Sequence, residues 1–126
     1  MSVLSINQTY SVGHLTPNIL LYEPSFEGWL SAVYQVYHRK LHYDQSLQLI
    51  AEDQYVPSLI SSAAHVTTDD EQAQRVLVKL NKLLGRSGMR QILWGFLSEK
   101  PNIGTTLFHI VKYAIDHPKR QVLEDL

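Results

Sequence analysis

Apolar and polar positions are most sharply patterned between Asn18 and Leu41. Ile19, Leu20, Leu21 and Tyr22 form an unbroken apolar run between Pro17 and Pro24, the pattern of a short buried strand. Ser25 follows as an N-cap, with Glu27 in the first turn where a negative charge suits the helix dipole. Phe26, Trp29, Leu30, Val33, Tyr34, Tyr37 and Leu41 then recur at the spacing of one helical face, and Glu27, Ser31, Gln35, His38 and Arg39 fall opposite. Large side chains each contribute about 1.5–3 kcal/mol when buried, so this helix is expected to organise the core.

Farther along, Leu47, Leu49 and Ile50 suit either a short strand or a turn, and Pro57 breaks any helix. Leu59-Ile60 followed by Ala63, Ala64, His65 and Val66 predicts a second extended segment pairing with the first strand. Thr68 and Glu71 have capping-box spacing, and the helix they open carries Ala73, Val76, Leu77, Leu80, Leu83 and Leu84 up to Gly85, a natural stop. Ser87 is expected to cap a third helix, with Met89, Ile92, Leu93, Phe96 and Leu97 inward. A fourth follows Pro101, with Ile103, Leu107, Ile110, Val111, Ala114 and Ile115 inward, and ends at Pro118. Residues 1–17 show no sustained period and are expected to form an N-terminal arm, in which Val3, Leu4 and Ile6 could supply an edge strand. Lys119 to Leu126 resemble the start of a further element. The expected fold is a single α+β domain over residues 18–126, a small antiparallel sheet of two or three strands packed against about four helices.

Composition narrows the functional classes. With 126 residues, one domain with a real core is expected. Eleven Lys and Arg against 12 Asp and Glu give a net charge of -1, so nucleic-acid binding requires a local basic patch. The absence of cysteine excludes disulfides, thiolate nucleophiles and Cys-ligated zinc or iron–sulfur centres within this chain. Neither a signal-peptide pattern nor an apolar run of membrane-spanning length is present, and a cytoplasmic location with no membrane contact is the expectation.

Among candidate sites, Lys79, Lys82, Arg86, Ser87 and Arg90 gather cations and a hydroxyl around a helix junction, a combination competent to hold phosphate. His38 and His42 stand four apart, but no glutamate follows the first as a zinc-protease motif requires, and two solvent-facing histidines are the expectation. Asp69, Asp70 and Glu71 form a carboxylate cluster that a helix start already explains. Glu52, Asp53 and His65 are the candidates for an acid–base or metal site. Trp29, Tyr34 and Tyr37 fall on the core stripe, and Trp94 flanks the apolar face of its helix, so core packing is expected for these aromatics. A nucleophile elbow, a P-loop and a dinucleotide-binding turn are all lacking, and no cofactor is expected.

Four stretches carry a resemblance. They are Tyr22-Glu23-Pro24-Ser25-Phe26-Glu27-Gly28-Trp29-Leu30, Gln54-Tyr55-Val56-Pro57-Ser58-Leu59, Thr68-Asp69 with Ala73 and Arg75-Val76, and Phe96-Leu97-Ser98-Glu99. In order and spacing they resemble the N-terminal part of a bacterial family described as probable DNA metabolism or repair proteins. Members of that family are encoded beside a radical-SAM protein, and related domains are fused to a uracil-DNA glycosylase-like domain. The resemblance covers about Ile19 to Leu126, and relatives continue into a second half, so it implies a truncated form of a longer architecture. Relatives more usually have Asp-Gly at Glu23-Pro24, and no catalytic residue carries over. The resemblance implies a non-catalytic accessory module of DNA repair or modification, contacting nucleic acid or a radical-SAM or glycosylase-like partner. Two alternatives stand beside it: an accessory enzyme domain built on Glu52, Asp53 and His65, and a self-associating protein that forms a homodimer.

Overall fold

Four consecutive buried residues, Ile19–Tyr22, form β1 at the centre of the sheet in a computed structural model that describes residues 17–57 and 62–117. The expected Val3–Ile6 strand, Leu59-Ile60 and the segment after His117 lie outside the described residues. Ser25 caps α1 (Phe26–His38) as expected, with the Gly28 N–H donating to its Oγ at 3.0 Å. A 3-10 turn at Leu41–Tyr43 leads into β2 (Gln48–Ala51), and a second at Glu52–Gln54 follows it. Then come β3 (Ala63–His65), α2 (Asp70–Leu97) and α3 (Ile103–Asp116). Among the described residues no helix is long and apolar enough to cross a membrane.

The strands lie in the order β2-β1-β3, and both pairings are parallel, which overturns the expected antiparallel sheet. Leu20 pairs with Leu49 on one side and with Ala64 on the other. The physical reason is the connection: α1 carries the chain back along the sheet, so β2 re-enters beside β1 in the same direction. An unbroken apolar run, rather than alternation, is also what a strand covered on both faces requires.

Among the described residues three helices, not about four, complete the fold. The expected stop at Gly85 is a kink inside α2, where φ 74° and ψ 178° leave helical geometry and α2 resumes directly. Only glycine adopts that conformation readily. The bend lets Ala73 and Leu80 before it, and Met89 and Ile92 after it, reach one core. Two cap assignments also change. Asp69, not Thr68, caps α2 by accepting from the Gln72 N–H at 2.9 Å, while the Thr68 hydroxyl donates to Glu23 Oε1 at 2.9 Å. Ser87 makes no side-chain hydrogen bond among the described residues. Leu93, Leu97 and Ile110, expected inward, are exposed; the buried seam of the 86–97 segment is the narrower line of Met89, Ile92 and half-buried Phe96.

Two hydroxyls clamp elements together. Ser31, expected on the solvent face, is fully buried: its Oγ accepts from the Asp69 N–H at 3.0 Å and donates to the Asp69 C=O at 3.3 Å. Thr105 does the same for edge strand β2, accepting from the Leu49 N–H at 2.9 Å and donating to its C=O at 3.2 Å. Thr105 satisfies both outward-facing backbone groups of Leu49 at the sheet edge, while Ser31 satisfies the Asp69 N–H and adds a second donor to a carbonyl that already accepts from the Ala73 N–H at 2.9 Å.

Candidate nucleic-acid interface

The basic residues singled out in the sequence all lie on α2 and all are exposed: Lys79 and Lys82 before the kink, Arg86, Ser87 and Arg90 after it. The acidic start of the helix does not neutralise them. Asp69 is engaged in the cap and Glu71 reaches Arg75, at 3.3 Å. Neither Lys79, Lys82, Arg86 nor Arg90 forms an ion pair among the described residues. Gly85 breaks the helical geometry immediately before Arg86, so Arg86, Ser87 and Arg90 sit at the start of the segment that follows the kink. From Lys79 to Arg90 a regular helix would advance about 16 Å, at 1.5 Å per residue. Single-strand phosphates repeat every 3.4 Å or so along a duplex axis, so the strip matches about four of them.

Lys79 and Lys82 also border an open groove of about 1190 Å³ between α1, α2 and the end of α3. Its floor is apolar, with Val33, Tyr37, Val76, Leu80, Leu83 and Ile115. The sequence pattern placed these residues in the core without showing that the three helices part there. Trp94, expected to pack inward, is 67% exposed and belongs to no ring pair among the described residues.

Elsewhere the structure brings Glu52 and His65 together, with Glu52 Oε2 3.0 Å from His65 Nδ1 at the carboxyl ends of β2 and β3. Both side chains are open to solvent. A cavity of about 400 Å³ beside them is lined by Tyr22, Ala51, Gln54, Asn102 and Gly104, and by none of Glu52, Asp53 and His65. Asp53 makes itself felt on the Tyr22 phenol, whose pKa is raised first by burial and then by that negative charge. No group of three or more His, Asp or Glu side chains among the described residues is placed to share a metal ion. His38 and His42 do not converge: α1 ends at His38, which stacks on Tyr34, and His42 stacks on Tyr37 from the following turn.

Tyr37 gives the fold a pH dependence. Its hydroxyl is buried without a hydrogen-bond partner, and burial followed by the charge of Asp116 pushes its pKa up to about 12 from 10.0. The neutral phenol is therefore the form the fold favours. Its stabilising contribution is complete below the ordinary value of 10.0 and is lost as pH rises through about 12. Tyr37→Phe is expected to melt at the same or a higher temperature at neutral pH, since an unpaired buried hydroxyl is removed. It should also lose less stability than the native chain as pH rises across that window. Melting curves at a series of alkaline pH values measure both, and identical losses in the two proteins would remove Tyr37 as the cause.

Compared with known proteins, the chain matches no family model, no curated protein and no solved structure.

Proposed function

We propose that this protein is a non-catalytic accessory module that holds a nucleic-acid backbone along α2, through Lys79, Lys82, Arg86, Ser87 and Arg90. The observation that carries the reading is the run of four exposed cations that form no ion pair among the described residues, in a chain whose net charge is -1. Overall charge attracts no polyanion, so any attraction must be local, and α2 gathers four cations for it on one element. The resemblance of Tyr22–Leu30 and the three later stretches to the DNA metabolism family supplies the setting, DNA repair or modification in the cytoplasm. In that setting a radical-SAM or glycosylase-like partner performs the chemistry. Any iron–sulfur cluster is held on the partner's cysteines, because this chain has none.

Four phosphate contacts give a log–log salt slope of about -3.6 on duplex DNA, at roughly 0.9 per neutralised phosphate. Arg86→Ala with Arg90→Ala is expected to reduce the slope by about 2. Both arginines are exposed, so the melting temperature of the double variant should stay close to that of the native chain. Fluorescence anisotropy of a labelled oligonucleotide across a salt series reads the slope. Absence of binding at low salt, or a slope indifferent to the two arginines, would sink the proposal.

The acid–base reading is weaker on geometry. Glu52 and His65 meet, but neither lines the cavity of about 400 Å³ beside them or the groove between the helices.

A further inference from the structure

The 86–97 segment carries a second feature beyond its cations. Arg86, Arg90 and Trp94 follow one another at four-residue intervals, which places them on one stripe of the helix with neighbouring Cβ atoms about 5–6 Å apart. Leu97, 62% exposed, extends the stripe, and exposed Leu93 borders it. The core seam of Met89, Ile92 and Phe96 occupies another side of the segment, so the stripe faces solvent. A soluble chain gains nothing by leaving an indole in water. Here the indole stands one turn beyond two guanidinium groups that have no carboxylate partner among the described residues.

We infer that this stripe binds single-stranded nucleic acid, with Trp94 as the platform on which an unpaired base stacks and Arg86 and Arg90 holding the adjoining phosphates. This rests on the phosphate-contact reading above and names its substrate class. An aromatic ring accepts any base, because every base has a π face, and this chemistry favours single strands without selecting sequence. In a duplex both faces of each internal base are already covered, so the indole meets a base only after unstacking it. A protein partner could also cover Trp94 and Leu97. The unpaired arginines leading into the apolar surface favour a polyanion that carries flat rings.

The chain's two tryptophans make the test direct, since Trp29 is fully buried and Trp94 is open. A short oligothymidylate, a duplex of equal length and an abasic strand of equal length are titrated at low salt. Tryptophan emission and anisotropy of the labelled strand are followed together. Oligothymidylate is expected to quench the red-shifted emission of Trp94 and to bind more tightly than the abasic strand. Trp94→Leu should weaken oligothymidylate binding by about 5- to 150-fold, leave duplex and abasic binding unchanged, and melt like the native chain. Trp94→Tyr should restore most of the loss. Equal affinity for oligothymidylate and the abasic strand, or full binding by Trp94→Leu while the arginine variants fail, overturns stacking but leaves the phosphate contact standing. Trp94 emission untouched by a bound oligonucleotide also overturns it and assigns the indole to a protein interface. No binding of any of the three strands by the native chain removes both readings at once.

Discussion

Replacing Trp29 with alanine is expected to lower stability by about 3–5 kcal/mol, a large share of the 5–15 kcal/mol or so that holds an ordinary domain together. Trp29 is fully buried and meets all three helices among the described residues. From α1 its ring stacks on Phe26 at 5.7 Å and leans on Phe96 of α2 at 6.4 Å. Its Nε1 donates to the Gly104 carbonyl in the first turn of α3, at 3.0 Å. Truncation therefore opens a cavity and removes the indole bond that ties α1 to the first turn of α3, where the Gly104 carbonyl keeps only its helical donor. Trp29→Phe divides the two effects, keeping most of the ring volume and losing the hydrogen bond, for about 1–3 kcal/mol. Urea denaturation measures both variants. A Trp29→Ala midpoint equal to that of the native chain would mean that the helices are held together elsewhere.

What the sequence showed of this architecture was local. The Ser25 cap and the apolar run of β1 each lie within a few adjacent residues and take their expected places, as do Trp29, Leu30 and Val33 of the α1 stripe. Leu41, by contrast, falls in the following turn, and Val36, off the stripe, is fully buried. Strand direction is not local. It depends on how the chain returns from Tyr22 to Gln48 and from Ala51 to Ala63, and the partner strands carry Gln48, Ala63 and Ala64, residues that say little about pairing. Ser31 shows a related limit. A helical wheel puts it opposite the apolar stripe, yet α1 is buried on nearly all sides between the sheet and α2. The small residues Gly28, Ser31 and Ala32 were the available sign that other elements approach closely there.

The candidate interface divides in the same way. Lys79, Lys82, Arg86 and Arg90 were legible because charge marks a solvent face whichever way the helix is turned. Trp94 was not, because residues 89–97 are apolar at most positions and offer two competing stripes, Met89-Ile92-Phe96 and Arg90-Trp94-Leu97. Which stripe turns inward is decided by the backbone at Gly85, where φ is 74° and ψ is 178°. Gly85 was visible as a break in the sequence, but the direction the helix takes after it was not.

Gly104→Ala tests the same joint as Trp29 from the other side, and is expected to cost about 1–3 kcal/mol or more. A Cβ at this position would collide with the Tyr22 hydroxyl and lie 2.8 Å from the Leu49 carbonyl oxygen. Neither neighbour yields readily: Tyr22 is buried in β1, and the Leu49 carbonyl belongs to β2, where the Thr105 hydroxyl donates to it. The adjustment left is for the start of α3 to move outward, which stretches the Trp29–Gly104 bond and both bonds from Thr105 to Leu49. Once Trp29 is alanine the first of those bonds no longer exists, so the same movement costs less. The combined destabilisation of the double variant should then fall short of the sum of the single ones by about 0.5–3 kcal/mol. Denaturation of the native chain, both single variants and the double variant gives that difference. Simple addition would mean that Trp29 and the Gly104 contact act as independent supports, and that α3 is seated by its packing on β2 and α2 rather than by the tryptophan.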